Sequence, residues 1–155
     1  MKYSKKNSKK NSKKKSKKKS KKGKSEVTPV GIYANIGSLN NLLLTVKLYH
    51  WTSDDLNIHK ISDKFLKDLS PLLDKYVEIY LGSMLKKKDL VERKLKEEFK
   101  NISIKPISKK SQLIQQIDYT IIWFKMINHS IDLDGTRDDI VSKLQNFKYL
   151  LDLNN

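Results

Sequence analysis

The first 24 residues hold fourteen lysines, no acidic residue and, apart from Met1 and Tyr3, nothing that could enter a core. Whatever this chain folds into must therefore be built from the residues that follow. From Ser4 the segment repeats as SKKN, SKKN, SKKK, SKKK, SKKG, with serine at positions 4, 8, 12, 16 and 20. Like charges three and four residues apart repel one another on a helix, and a segment with so little apolar content cannot offset the entropy of ordering. The expectation is a disordered arm and linker over residues 1–32 and one folded body over 33–155, since 155 residues suffice for a single ordinary domain.

The charge is as segregated as the composition. The chain carries 33 Lys+Arg against 17 Asp+Glu. With fourteen lysines in the arm, 19 basic residues face 17 acidic ones beyond it, a body near +2 behind a cationic tail. Such a tail releases counterions when it meets a polyanion, giving tight, salt-sensitive and sequence-blind binding. The nucleic-acid contacts are assigned to Lys5, Lys6, Lys9, Lys10, Lys13, Lys14, Lys15, Lys17, Lys18, Lys19, Lys21, Lys22 and Lys24. No aromatic alternates with them, so no base-stacking or base-reading device is present. DNA is the expected partner, with RNA not distinguished. A solubilising or nuclear-import tail is the plainer reading; attraction to an anionic membrane has no flanking amphipathic or acylation signal behind it, and no membrane partner is expected.

Cysteine is absent, which excludes disulfides and thiolate metal sites. The basic N-terminus is not followed by an apolar run, so no secretory signal is expected. Apolar stretches such as Leu42–Leu44 and Ile121–Phe124 are far too short to span a bilayer. The expected setting is intracellular and associated with nucleic acid, in a nucleoid, a nucleus or a virion.

From about residue 33 the apolar spacing is helical. Helix A is predicted over 34–52, with Ile36, Leu39, Leu43, Val46 and His50 on one stripe. Helix B is predicted over 57–81, ended by Gly82, and a short charged surface helix over 85–101. Helix C is predicted over 111–131, with Leu113, Ile117, Ile121 and Phe124 inward. Helix D is predicted from Thr136, read with Asp139 as a capping box, to about Leu151 through Ile140, Leu144 and Phe147. The fold class is all-α, a four-helix bundle with one extra short helix. His129 lies off the helix C stripe and reads as a capping or surface histidine, protonated near a helix C-terminus and within reach of Asp132.

Helix B carries more than a core stripe. Ile61, Phe65, Leu69, Leu72, Tyr76 and Tyr80 fall in one sector of about 100°. A second apolar sector holds Leu66, Leu73 and Val77, and His59, Asp63, Asp74 and Glu78 lie beside it. Charged groups in an apolar surface are costly unless satisfied, and an iron or zinc ion would satisfy this donor set. His59 and Asp63 are four residues apart, as are Asp74 and Glu78, so each pair shares a face. Eleven residues separate the pairs, roughly 16 Å along the axis, too far for one ion in one chain. The two pairs are, however, symmetric about residues 68–69. Two copies of helix B crossing antiparallel there would set Asp63 against the other copy's Asp74, and His59 against its Glu78. One isologous contact would then create two identical mixed-chain sites.

The run VKLYHW, followed by H-x3-D and, eleven residues on, D-x3-E, resembles the Dps branch of the ferritin-like proteins, the DNA-protecting mini-ferritins. The likeness covers roughly residues 40–82, and it extends in kind to the lysine-rich arm. It implies a ferritin-like bundle and a ferroxidase site across a dimer two-fold, with iron bound by His50, His59, Asp63, Asp74 and Glu78. Trp51 stands where the family has a tryptophan beside its histidine. The family also brings a homodimer, and a dodecamer beyond it, into view. The chain departs from the family in a shorter His50–His59 link and in Pro71 within helix B. The in-bundle di-iron centre of ordinary ferritins needs Glu-x-x-His motifs, and helices C and D contain none. The expected function is DNA compaction or protection through the arm combined with Fe(II) oxidation between subunits. The rival is a non-enzymatic architectural or virion DNA-packaging protein on a degenerate ferritin-like fold.

Overall fold

A computed structural model describes residues 29–84, 87–104 and 106–153, and the lysine arm lies outside the described residues. The described residues form five helices and no strand: α1 Pro29–Thr52, α2 Leu56–Ser83, α3 Lys88–Lys100, α4 Lys110–Met126 and α5 Ile131–Leu153. The first begins at Pro29, five residues ahead of the helix start read from the sequence, and Ile32 and Tyr33 are already buried. A proline fits the first helical turn because its missing N–H would have no partner there.

Local chemistry sets the helix ends. Asp55 caps α2 by accepting a hydrogen bond from the Asn57 N–H at 2.7 Å. The Gln112 side-chain oxygen reaches back to accept from the Lys109 N–H at 3.2 Å, which fixes the start of α4. The Ser130 carbonyl accepts from the N–H groups of Leu133 and Asp134, so α5 starts at Ile131 and not at Thr136. Asp132 and Asp134 in that first turn favour the positive end of the helix dipole. Thr136 is buried inside α5, so it is not a cap. Helix α4 correspondingly ends at Met126, five residues short of the reading from sequence, and Ile127 turns to extended backbone. Helix α2 runs unbroken through Pro71.

The packing follows the apolar stripes. Helices α1, α2, α5 and α4 are neighbours in that order around one core, and α4 closes the circuit onto α1. Each neighbouring pair is antiparallel. Tyr33 of α1 meets Tyr80 of α2 edge-to-face, with ring centroids 5.4 Å apart. Phe65 of α2 stacks on Phe147 of α5 at 4.0 Å. Asp118 of α4 pairs with Lys148 of α5, and Gln116 of α4 lies against Thr45 of α1. Helices α1 and α5 are therefore parallel and diagonal, as are α2 and α4. Because α2 and α4 run the same way, the chain must travel the length of the molecule between them. Helix α3 occupies that crossover and packs on α1, burying Val91. The close approach of α1 to the end of α4 depends on Gly31, where a Cβ would meet Ile127 Cδ1 at 2.9 Å.

His129 is not a surface cap. It lies half-buried in the link between α4 and α5, and its Nε2 shares a 2.6 Å hydrogen bond with the Tyr76 hydroxyl. Burial holds the imidazole below its ordinary value, against smaller upward pulls, so it is neutral at pH 7. Burial likewise pushes the Tyr76 phenol up to about 12. The Leu66–Leu73–Val77 sector also differs from its sequence reading. Leu73 is 5 % exposed and belongs to this chain's own core, while Leu66 and Val77 are only partly covered.

Candidate metal centre

The α1–α2 hairpin gathers three of the five candidate ligands. His50 sits in the last turn of α1, His59 in the first turn of α2, and Asp63 one turn further on. The three-residue link Ser53–Asp55 keeps the two helices adjacent. There Asp55 donates its N–H to Ser53 Oγ at 3.2 Å and its carboxylate caps α2. As a result His50 Nε2 stands 3.4 Å from Asp63 Oδ1, and the His50 and His59 rings meet edge-to-face with centroids 4.5 Å apart.

The hydrogen bonds say which atoms remain available. His59 Nε2 lies 2.8 Å from the Ser53 carbonyl, which can only accept, so Nε2 carries the proton. A neutral His59 then presents Nδ1 as its lone-pair atom. A ring nitrogen donating to a backbone carbonyl while the other is free is the usual second-shell arrangement of a metal-binding histidine. His50 is mostly buried, with its side chain 15 % exposed, and its Nδ1 is buried without a hydrogen-bond partner. Asp63 is 71 % exposed, so its carboxylate faces outward from the hairpin.

Asp74 and Glu78 stand further along α2, both exposed and one turn apart. The chain does not bring them to the histidine pair. Among the described residues no group of three or more His, Asp or Glu side chains is placed to hold a metal ion within one chain. Trp51, next to His50, is 66 % exposed, with Lys47 Nζ 5.4 Å from the centre of its ring. The donors fit iron in kind, being imidazole and carboxylate, but in one chain they are a partial set.

The Tyr76–His129 pair is not legible in the sequence, because His129 lies past a helix end where periodicity gives no signal. Nor is the outer face of α4, where a long apolar stretch hides two faces. No protein family, curated protein or solved structure gives a significant match to the chain.

Proposed function

We propose that this protein is a Dps-like mini-ferritin that holds DNA through its lysine arm and oxidises Fe(II) at sites shared between two copies. The observation that carries the reading is the meeting of His50, His59 and Asp63 at one end of the α1–α2 hairpin. They are three of the five ligands that the family resemblance implies. The helix order supports a ferritin-like bundle, whose mark is two antiparallel hairpins joined by one long crossover; here the crossover carries α3.

Iron is the substrate. His59 and Asp63 of one copy with Asp74 and Glu78 of the other would bind it, with His50 completing the set. The protein's own residues have three tasks. The Ser53 carbonyl fixes the His59 tautomer, Asp63 and the second copy's carboxylates balance the ion's charge, and buried His50 keeps one side of the site dry. Each Fe(II) gives one electron to dioxygen or a peroxide, which removes the reductant for radical chemistry from beside the DNA held by the arm.

Anaerobic Fe(II) titration of the full chain, followed by admission of air, tests the reading. Saturable binding at a fixed number of ions per chain, then oxidation well above the buffer rate, is the expected result. Binding and oxidation no better than buffer would leave the architectural reading, a DNA-packaging protein without metal chemistry.

A further inference from the structure

Helix α4 turns an apolar face outward. Tyr119 is 58 % exposed, Ile122 50 %, Trp123 51 % and Met126 69 %, at the i, i+3, i+4, i+7 spacing of one helical stripe. The buried residues of α4, Leu113, Ile117, Thr120, Ile121 and Phe124, lie on the opposite side, so the stripe contributes nothing to this chain's core. The whole helix has only three charged residues in seventeen, Lys110, Asp118 and Lys125. Helix α3, a solvated surface helix of the same protein, has nine in thirteen. Charge depletion combined with Tyr, Trp and Met is the composition of an interface centre and not of a wet surface.

We infer that this face binds a second copy of the chain, with the two α4 helices antiparallel about a two-fold between Ile122 and Trp123. The stripe is symmetric about that point. Tyr119 would lie on the other copy's Met126, and Ile122 on its Trp123. The flanking charges fit the same arrangement, although Asp118 already holds Lys148 of its own chain at 2.7 Å. Asp118 and Lys125 are seven residues apart and so lie on the same flank of α4. A two-fold across the helix reverses direction but keeps that flank on the same side. Each Lys125 then comes within about 3 Å, along the axis, of the other copy's Asp118, at ~1.5 Å per residue.

The four side chains leave on the order of 500 Å² of largely apolar surface to water, the upper range for a single patch on a monomer. With the adjoining turns the contact approaches the ~800 Å² per partner of a stable dimer. The near-neutral body offers no net repulsion to oppose it. Because α2 and α4 are diagonal, this contact and the α2 contact of the proposed ferroxidase site lie on opposite sides of the molecule. The protein thus has two faces for its own kind, and assembly extends beyond a dimer. The α4 contact does not depend on the iron reading.

The chain has no cysteine, so single introduced thiols report the geometry cleanly. Ile122→Cys and Gln115→Cys both replace exposed residues of α4's outer side. In the proposed register two copies of residue 122 lie side by side, whereas two copies of residue 115 are about 22 Å apart along the axis. A short bis-maleimide should convert most of the Ile122→Cys protein to covalent dimer and leave the Gln115→Cys protein at least tenfold less cross-linked. Trp123→Glu should at least halve the mass of the largest sedimenting species without loss of helicity. Equal cross-linking at both positions, none at either, or unchanged sedimentation of Trp123→Glu overturns the inference. None of these outcomes bears on whether iron is oxidised.

Discussion

At the scale of single residues, the Tyr76–His129 hydrogen bond ties the α4–α5 link to the middle of the molecule, and its energetics depend on pH. His129 is held below its ordinary value by burial, so the unfolded chain binds more protons than the folded one at mildly acidic pH. Stability from this group is therefore complete above the unfolded value of about 6.5 and is lost as pH falls through the folded value. His129→Phe should remove that acid-side dependence. It should also remove a hydrogen bond from the buried Tyr76 hydroxyl, at a cost of about 0.5–1.5 kcal/mol. Denaturant melts of both proteins from pH 5 to 8 read both effects; parallel pH profiles would show that His129 titrates freely. The periodicity that located Ile117, Ile121 and Phe124 had nothing to say about His129, because a residue in a link answers to whichever elements close over it. Thr136 misled for a related reason. Thr136 and Asp139 imitate a capping box, yet the helix had already been started by Ser130 with Asp132 and Asp134.

At the scale of the helix, α2 is where fold and proposed chemistry compete for one surface. The core positions Phe65, Leu69, Tyr76 and Tyr80 are buried, as their spacing requires, and α2 packs most extensively on α5. Leu73 extends that core. Leu73→Asp would bury an unpaired carboxylate in the chain's own interior, costing several kcal/mol, and should lower the melting temperature sharply at any protein concentration. Leu66 is only partly covered, so Leu66→Asp should keep the helicity and instead shift sedimentation toward smaller species. If both variants melt alike and sediment like the wild type, α2 has no outward contact. That His59 and Asp63 share a face was legible from their i, i+4 spacing, whereas His50 entered only through the family resemblance and is brought beside them by the three-residue link. The α4 stripe was not, since the run Ile121–Phe124 feeds both an inner and an outer face, and only packing separates them.

At the scale of the whole molecule, charge and chemistry sit in different places. Deleting residues 2–24 removes fourteen positive charges and leaves a body near +2. DNA affinity should then collapse while the helical body and any iron oxidation persist. With the arm present, log K should fall with log salt at about −0.9 per phosphate neutralised, or about −5 to −9 if roughly six to ten lysines engage. Phosphorylation at Ser4, Ser8, Ser12, Ser16 and Ser20 would add about −1.5 to −2 each, enough to cancel more than half the arm's charge and release DNA. A truncated protein with the same salt slope would move the contacts to the body.

In the proposed site one copy supplies the histidines and the first carboxylate, and the other copy the remaining two carboxylates. Subunit mixing tests it most directly. His59→Ala/Asp63→Ala protein and Asp74→Ala/Glu78→Ala protein should each fail to oxidise Fe(II) above background. Dissociated and reassembled together, they should recover activity, since each mixed pair contains one intact site of two. Full activity in either variant alone, or no recovery in a mixture shown by mass to contain mixed pairs, would contradict the shared site.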